Sequence, residues 1–196
     1  MLMRHFYHCS HNATLADQPL QPFDGRASEI RGLCFGGIEE QFGPNIYRIS
    51  IPDECDFLTT NLVWNMKLEG EEGTPAVGRN GEPLVLTLAM AENACKEAMA
   101  EMGYDLDDKT VEFVFCRALE FDDCDESIGG DDEDSCDPWD VQIDGWGLQS
   151  VRALVAHKLG LVGATIADET GGAYISANPD LVLEKHEEEE DEEEVV

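Results

Sequence analysis

Between Arg117 and Arg152 the chain carries no lysine or arginine, while residues 120–140 hold eleven aspartates and glutamates. Carboxylates crowded without counter-charges cannot enter a core, since each buried unpaired charge costs on the order of several kcal/mol. That stretch is therefore expected as a solvated loop. A second acidic run, Glu187–Glu194, adds eight more acids at the end of the chain, low in complexity and self-repelling. The expected organisation is one domain over residues 1–185, interrupted by the acidic loop 120–140, with an acidic tail at 186–196. Acidity is not confined to these runs. Of 43 acids against 12 lysines and arginines, 24 acids remain outside them, so the rest of the chain is itself at −12 within a total of −31.

This charge argues against direct contact with nucleic acid or an anionic membrane, because phosphate contacts need lysine and arginine. It suits a protein partner with a basic surface, including one that normally holds nucleic acid. Hydrophobic residues at 42% are sufficient for a core. Met1–Ser10 is mixed polar and aromatic without an apolar signal region, and no run approaches the ~18 apolar residues of a membrane span. Seven cysteines, at 9, 34, 55, 95, 116, 124 and 136, form no C-x-x-C pair. Together these features predict a cytosolic chain with reduced thiols.

Arg4–Ser10 reads as a first strand, followed by a loop from about Asn12 to Ser28. Ile30–Phe35 is a short apolar strand. Asn45–Pro52 alternates, with Tyr47, Ile49 and Ile51 on one face. A mixed segment through Trp64 leads to Glu69–Pro83, whose Gly and Pro content predicts a surface loop. Leu84–Met102 is rich in helix formers and ends at Gly103. Lys109–Phe121 is rich in β-branched and aromatic residues. Its apolar positions 111, 114, 115, 118 and 119 nevertheless fit the helical template, so a helix is expected. Asp144 stands as N-cap of a helix over Gly145–Leu159, closed by Gly160. A hairpin of Val162–Ala167 and Ala173–Ala177 and a short strand Leu181–Leu183 complete the layout. Strands at both ends with helices between them define an α+β fold.

Candidate chemistry is sparse. His5, His8 and His11 recur every three residues, but on a strand His5 and His8 face opposite ways and cannot share one ion. The acidic loop misses the EF-hand pattern, with Ile128 where glycine is required. No Walker, G-x-S-x-G or G-x-G-x-x-G motif occurs, and no metal site is expected.

The opening FYHCS (Phe6–Ser10) resembles the first strand of ADP-ribosyltransferases, and Leu159–Val182 resembles the end of such domains. More narrowly, three blocks are similar in order and spacing to a phage anti-CRISPR ADP-ribosyltransferase family acting on the type I-F surveillance complex. They are His8–Ser10, Leu33–Phe57 and Gly145–Ser176. The resemblance implies an ADP-ribosyltransferase-like fold and NAD as the ADP-ribose donor. It further implies a CRISPR-Cas surveillance complex, or another bacterial nucleic-acid-binding protein, as partner in the host cytoplasm. It implies that His8 bonds a ribose and Ser10 the nicotinamide amide, and that Phe35, Tyr47 or Tyr174 stacks on the nicotinamide ring.

One departure matters. Where the superfamily has a glutamate that steadies the positive charge formed as nicotinamide leaves, this chain has Ala173. Either activity is lost or another acid serves. Asp144 is the first candidate, its alternative role being the helix N-cap; Asp168 and Glu169, in the hairpin turn, follow. Loss of activity would leave a non-catalytic acidic mimic that blocks a basic groove.

Overall fold

Three antiparallel sheets and four helices are present among the described residues of the computed structural model, which are 2–17, 33–37, 43–104, 106–120, 143, 145–166 and 173–186. The acidic loop beyond Glu120, Asp144, the turn carrying Asp168 and Glu169, and the tail beyond His186 lie outside them. The class is α+β, as the sequence indicates.

Strand β1 (Met3–Ser10) pairs antiparallel with β3 (Asn45–Pro52) along its whole length, from Met3 opposite Pro52 to Ser10 opposite Asn45. The alternation in β3 places Tyr47, Ile49 and Ile51 in the core, each almost completely buried. On the far side of β3 lies β8 (Leu183–Lys185), two residues later than the sequence suggests. The shift brings Leu183 opposite Ile49, and Arg48 within 2.6 Å of Glu184.

The second sheet has the order β2 (Leu33–Phe35), β7 (Ala173–Ser176), β6 (Ala164–Ile166). It meets the first through reciprocal backbone bonds of 2.9 Å between Tyr7 and Gly36. Gly163, just before β6, passes so close to β7 that a Cβ there would lie 2.6 Å from the Ile175 carbonyl oxygen.

The segment 53–87 departs from expectation. The stretch through Trp64 contains a helix, α1 (Thr60–Glu69), capped by Thr59, whose Oγ1 accepts from Leu62 N–H at 3.0 Å. The expected loop Glu69–Pro83 instead holds β4 (Thr74–Val77), paired with β5 (Pro83–Leu86) in a two-stranded ribbon. Leu84–Leu86 therefore belongs to a strand. The next helix, α2 (Leu88–Glu101), begins only after its N-cap Thr87.

Helix α3 (Asp108–Leu119) is capped by Asp107, whose Oδ1 accepts from Thr110 N–H at 2.8 Å. Helix α4 (Gly145–Lys158) is buried on every side from Leu148 to Ala156, a central helix rather than one with a single apolar face. It is packed by α2, α3 and the second sheet. The larger core gathers the four helices with β6 and β7. The smaller one, Phe35, Tyr47, Ile49, Ile51, Cys55, Phe57, Val162 and Leu183, fills the space between the two three-stranded sheets.

Candidate functional site

Side chains alternate along a strand, so Arg4, Phe6, His8 and Ser10 share one face of β1. That face meets the second sheet. Phe6 packs edge-on against Phe35, Phe57 and Tyr174, with ring centres 5.5, 5.9 and 4.8 Å away. Phe35 and Tyr174 are direct cross-strand partners and stack at 5.8 Å with planes 15° apart. The guanidinium of Arg4 lies 5.4 Å from the centre of the Phe57 ring, donates to the Cys55 carbonyl, and approaches Asp53 at 3.4 Å.

Beside this aromatic wall opens a cleft of about 360 Å³, lined among others by Arg4, Asp56, Phe57, Asn61, Asn65 and Tyr174. Asn61 and Asn65 stand one turn apart on α1 and offer amide donors and acceptors to the cleft. The Asp56 carboxylate accepts from Val77 N–H at 2.8 Å, which anchors it to β4. Thr165, also in the lining, leads to a buried arginine below. Arg152, 2% exposed, donates from Nη2 to Thr165 Oγ1 (3.4 Å) and Thr60 Oγ1 (3.3 Å), and from Nη1 to the Ala118 carbonyl (3.0 Å). One guanidinium thus joins the start of α1, the end of α3 and strand β6.

His8 Nδ1 lies 2.8 Å from the Cys34 carbonyl oxygen. A carbonyl only accepts, so Nδ1 carries the proton and Nε2 is left as an acceptor. Burial holds the imidazole pKa below its ordinary value, against the opposing effect of the Cys34 bond. Its chemistry is that of a neutral ring offering one lone pair, suited to a hydroxyl donor. Ser10 Oγ accepts from Asn12 N–H at 3.1 Å, and Asn45 Nδ2 donates to the Ser10 carbonyl at 3.1 Å.

Tyr47 sits opposite His8 in the β1–β3 register but has no accessible surface. Its hydroxyl donates to the Asn12 carbonyl at 2.6 Å and accepts from Leu15 N–H at 3.2 Å, tying down the segment after β1. Phe35 is 3% exposed, so Tyr174 is the sequence-nominated aromatic that reaches the cleft. The structure links His8, Phe35 and Tyr174 through Cys34 and the stacked pair, whereas Ser10 lies at the end of β1 remote from Arg4. Ala173 opens β7 opposite Ile166. The carboxylate candidates Asp144, Asp168 and Glu169 lie outside the described residues.

Arg4, Asp56, Asn61, Asn65 and Thr165 were not foreseen from the sequence. The available signal was Thr59, an N-cap residue ahead of an unrecognised helix. Among the described residues no three His, Cys, Asp or Glu side chains gather as a metal site, and no helix is long and apolar enough to cross a membrane.

Fold and site thus define an α+β protein with an aromatic-walled, polar-lined cleft at the meeting of two antiparallel sheets. No family model matches the chain, and no curated protein matches it. Among solved structures, the crystal structure of an anti-CRISPR protein shares the fold, with a TM-score of 0.50 and 19% sequence identity, over 94% of this chain and 96% of that one.

Proposed function

We propose that this chain is a phage-type anti-CRISPR protein that transfers ADP-ribose from NAD to a protein subunit of a CRISPR-Cas surveillance complex in the bacterial cytoplasm. The observation that carries the anti-CRISPR reading is the fold shared, nearly end to end, with an anti-CRISPR protein. The charge of −31 supports it, since such a chain is drawn to a basic groove built for nucleic acid.

The transferase reading rests on the resemblance of the first strand and the terminal hairpin, and on a cleft whose lining offers the kinds of contact a nucleotide needs. Its volume, about 360 Å³, falls within the ~300–1,000 Å³ of small-molecule sites. Tyr174 offers aromatic surface to a base or nicotinamide ring, Arg4 a cation toward the pyrophosphate, and Asn61 and Asn65 polar contacts. Cleavage of the nicotinamide–ribose bond needs the substrate clamped and a fixed negative charge where positive charge develops. Asp144, next before α4 in the sequence, is the first candidate for that charge. Asp168 and Glu169, in the segment between β6 and β7, are the alternatives.

A second reading, a non-catalytic acidic mimic that occupies the basic groove, is favoured by Ala173 and by the charge itself. Labelled NAD incubated with the protein and a purified type I-F surveillance complex separates the two. Label on one protein subunit supports transfer. Complete inhibition without NAD and without label supports the mimic.

A further inference from the structure

Helix α1 borders the cleft with Asn61, Leu62 and Asn65, and its outward face carries two large apolar side chains, Trp64 at 49% and Leu68 at 79% exposure. They stand one turn apart, so they form a single strip alongside the cleft mouth. Isolated exposed apolar residues are ordinary on a surface, but Trp is enriched at interface centres, and Leu68 extends it here into a contiguous apolar strip. The strip runs directly into Glu69, Glu71 and Glu72, all exposed. Lys67 Nζ, paired with Glu120, lies 5.0 Å from the centre of the Trp64 ring and holds that ring in place on the helix.

From this geometry we infer that the outward face of α1 is a docking surface for a protein partner that presents arginine or lysine side chains around an apolar contact. The apolar contact would lie on Trp64 and Leu68, and the partner's cations would reach Glu69, Glu71 and Glu72. This deepens the proposed function and rests on it, because it assigns the face by which the target is held while the cleft acts. The occupant is a basic protein rather than a second copy of this chain. Two copies at −31 each repel.

The test measures binding of the full chain to purified type I-F surveillance complex by biolayer interferometry. The variants are Trp64→Ala/Leu68→Ala, Glu69→Gln/Glu71→Gln/Glu72→Gln, and Val85→Ala as an exposed apolar control on β5. Because Trp64 and Leu68 are exposed, the melting temperature should stay near wild type. The inference predicts about thirtyfold weaker binding for the double variant, equivalent to ~2 kcal/mol at 1.4 kcal/mol per tenfold. The loss should appear mainly in the off-rate. The triple variant should lose several-fold in on-rate and part of the salt dependence, and Val85→Ala should bind normally. If wild type binds and both multiple variants stay within twofold of it, the docking surface is overturned while the proposed function stands. If wild type does not bind the complex at all, the proposed function falls and takes the docking surface with it. Wild-type dimers in sedimentation at micromolar concentration, abolished by the double variant, would overturn the basic-partner assignment in favour of self-association.

Discussion

Replacing Arg152 by methionine removes the guanidinium that closes the end of α3 beneath the cleft. The last four carbonyls of a helix lack intrahelical donors, and Arg152 supplies Nη1 to that of Ala118, itself a buried residue. Methionine keeps most of the buried volume and removes a charge that is expensive to bury. It also leaves the Ala118 carbonyl without this donor, at about 1–3 kcal/mol, and forfeits attraction to the negative end of α3, worth up to ~2 kcal/mol in a partly buried geometry. Thr60 and Thr165 lose a shared donor as well. With the relief of desolvation set against these losses, the net destabilisation is about 2–4 kcal/mol. At ~2–4 °C per kcal/mol for a chain of this size, the melting temperature should fall by roughly 5–15 °C. Arg152→Lys keeps the charge without the planar fork and should fall in between. Thermal and urea unfolding followed by circular dichroism read both variants. A shift under 2 °C for Arg152→Met would refute the idea that this side chain joins α1, α3 and β6.

Tyr47→Phe retains the buried ring but loses both hydrogen bonds to the segment at Asn12–Leu15, so urea unfolding should show a loss of about 1–2 kcal/mol. For His157, burial together with neighbouring Arg79 and Lys158 holds the pKa below its ordinary value, and Arg79 Nη1 lies 3.0 Å from its Nδ1. The neutral form is favoured by folding, so its contribution is full above the unfolded pKa near ~6.5 and is lost as pH falls toward the lowered folded value. His157→Gln offers Arg79 an acceptor that does not titrate. Its stability should therefore decline less steeply than wild type between pH 7 and 5, and an equal slope would contradict the assignment. Asp144→Asn removes a charge while keeping nearly the same side-chain shape, so on the transferase reading label transfer from NAD should be lost at a near-normal melting temperature; unchanged transfer would direct attention to Asp168 and Glu169.

What could be read from the sequence followed from local pattern. Strict alternation gave the buried face of β3, and positions 111, 114, 115, 118 and 119 disclosed α3 despite its β-branched content. Helix α1 was hidden because apolar residues surround it. Val63 and Met66 face inward while Trp64 and Leu68 face out, so no single stripe marks the period. The β4–β5 ribbon was hidden by Pro75 and Pro83, which read as loop residues yet are tolerated in a ribbon with open edges. These two elements supply much of the cleft. Tyr174 reaches the cleft on β7, a strand the sequence discloses, whereas His8 and Phe35 sit on disclosed strands outside the cleft lining. Arg4, Asn61 and Asn65 acquire a role only when β1 and α1 are brought together across more than fifty residues, and no local spacing encodes that.

A crystal structure of the protein soaked with NAD tests directly whether the cleft is a dinucleotide site. Dinucleotide density should appear in the cleft, with an aromatic ring of the ligand against Tyr174, its phosphates toward Arg4, and polar contacts from Asn61 or Asn65. Density elsewhere, or an empty cleft in a protein that still blocks the surveillance complex, would contradict that reading.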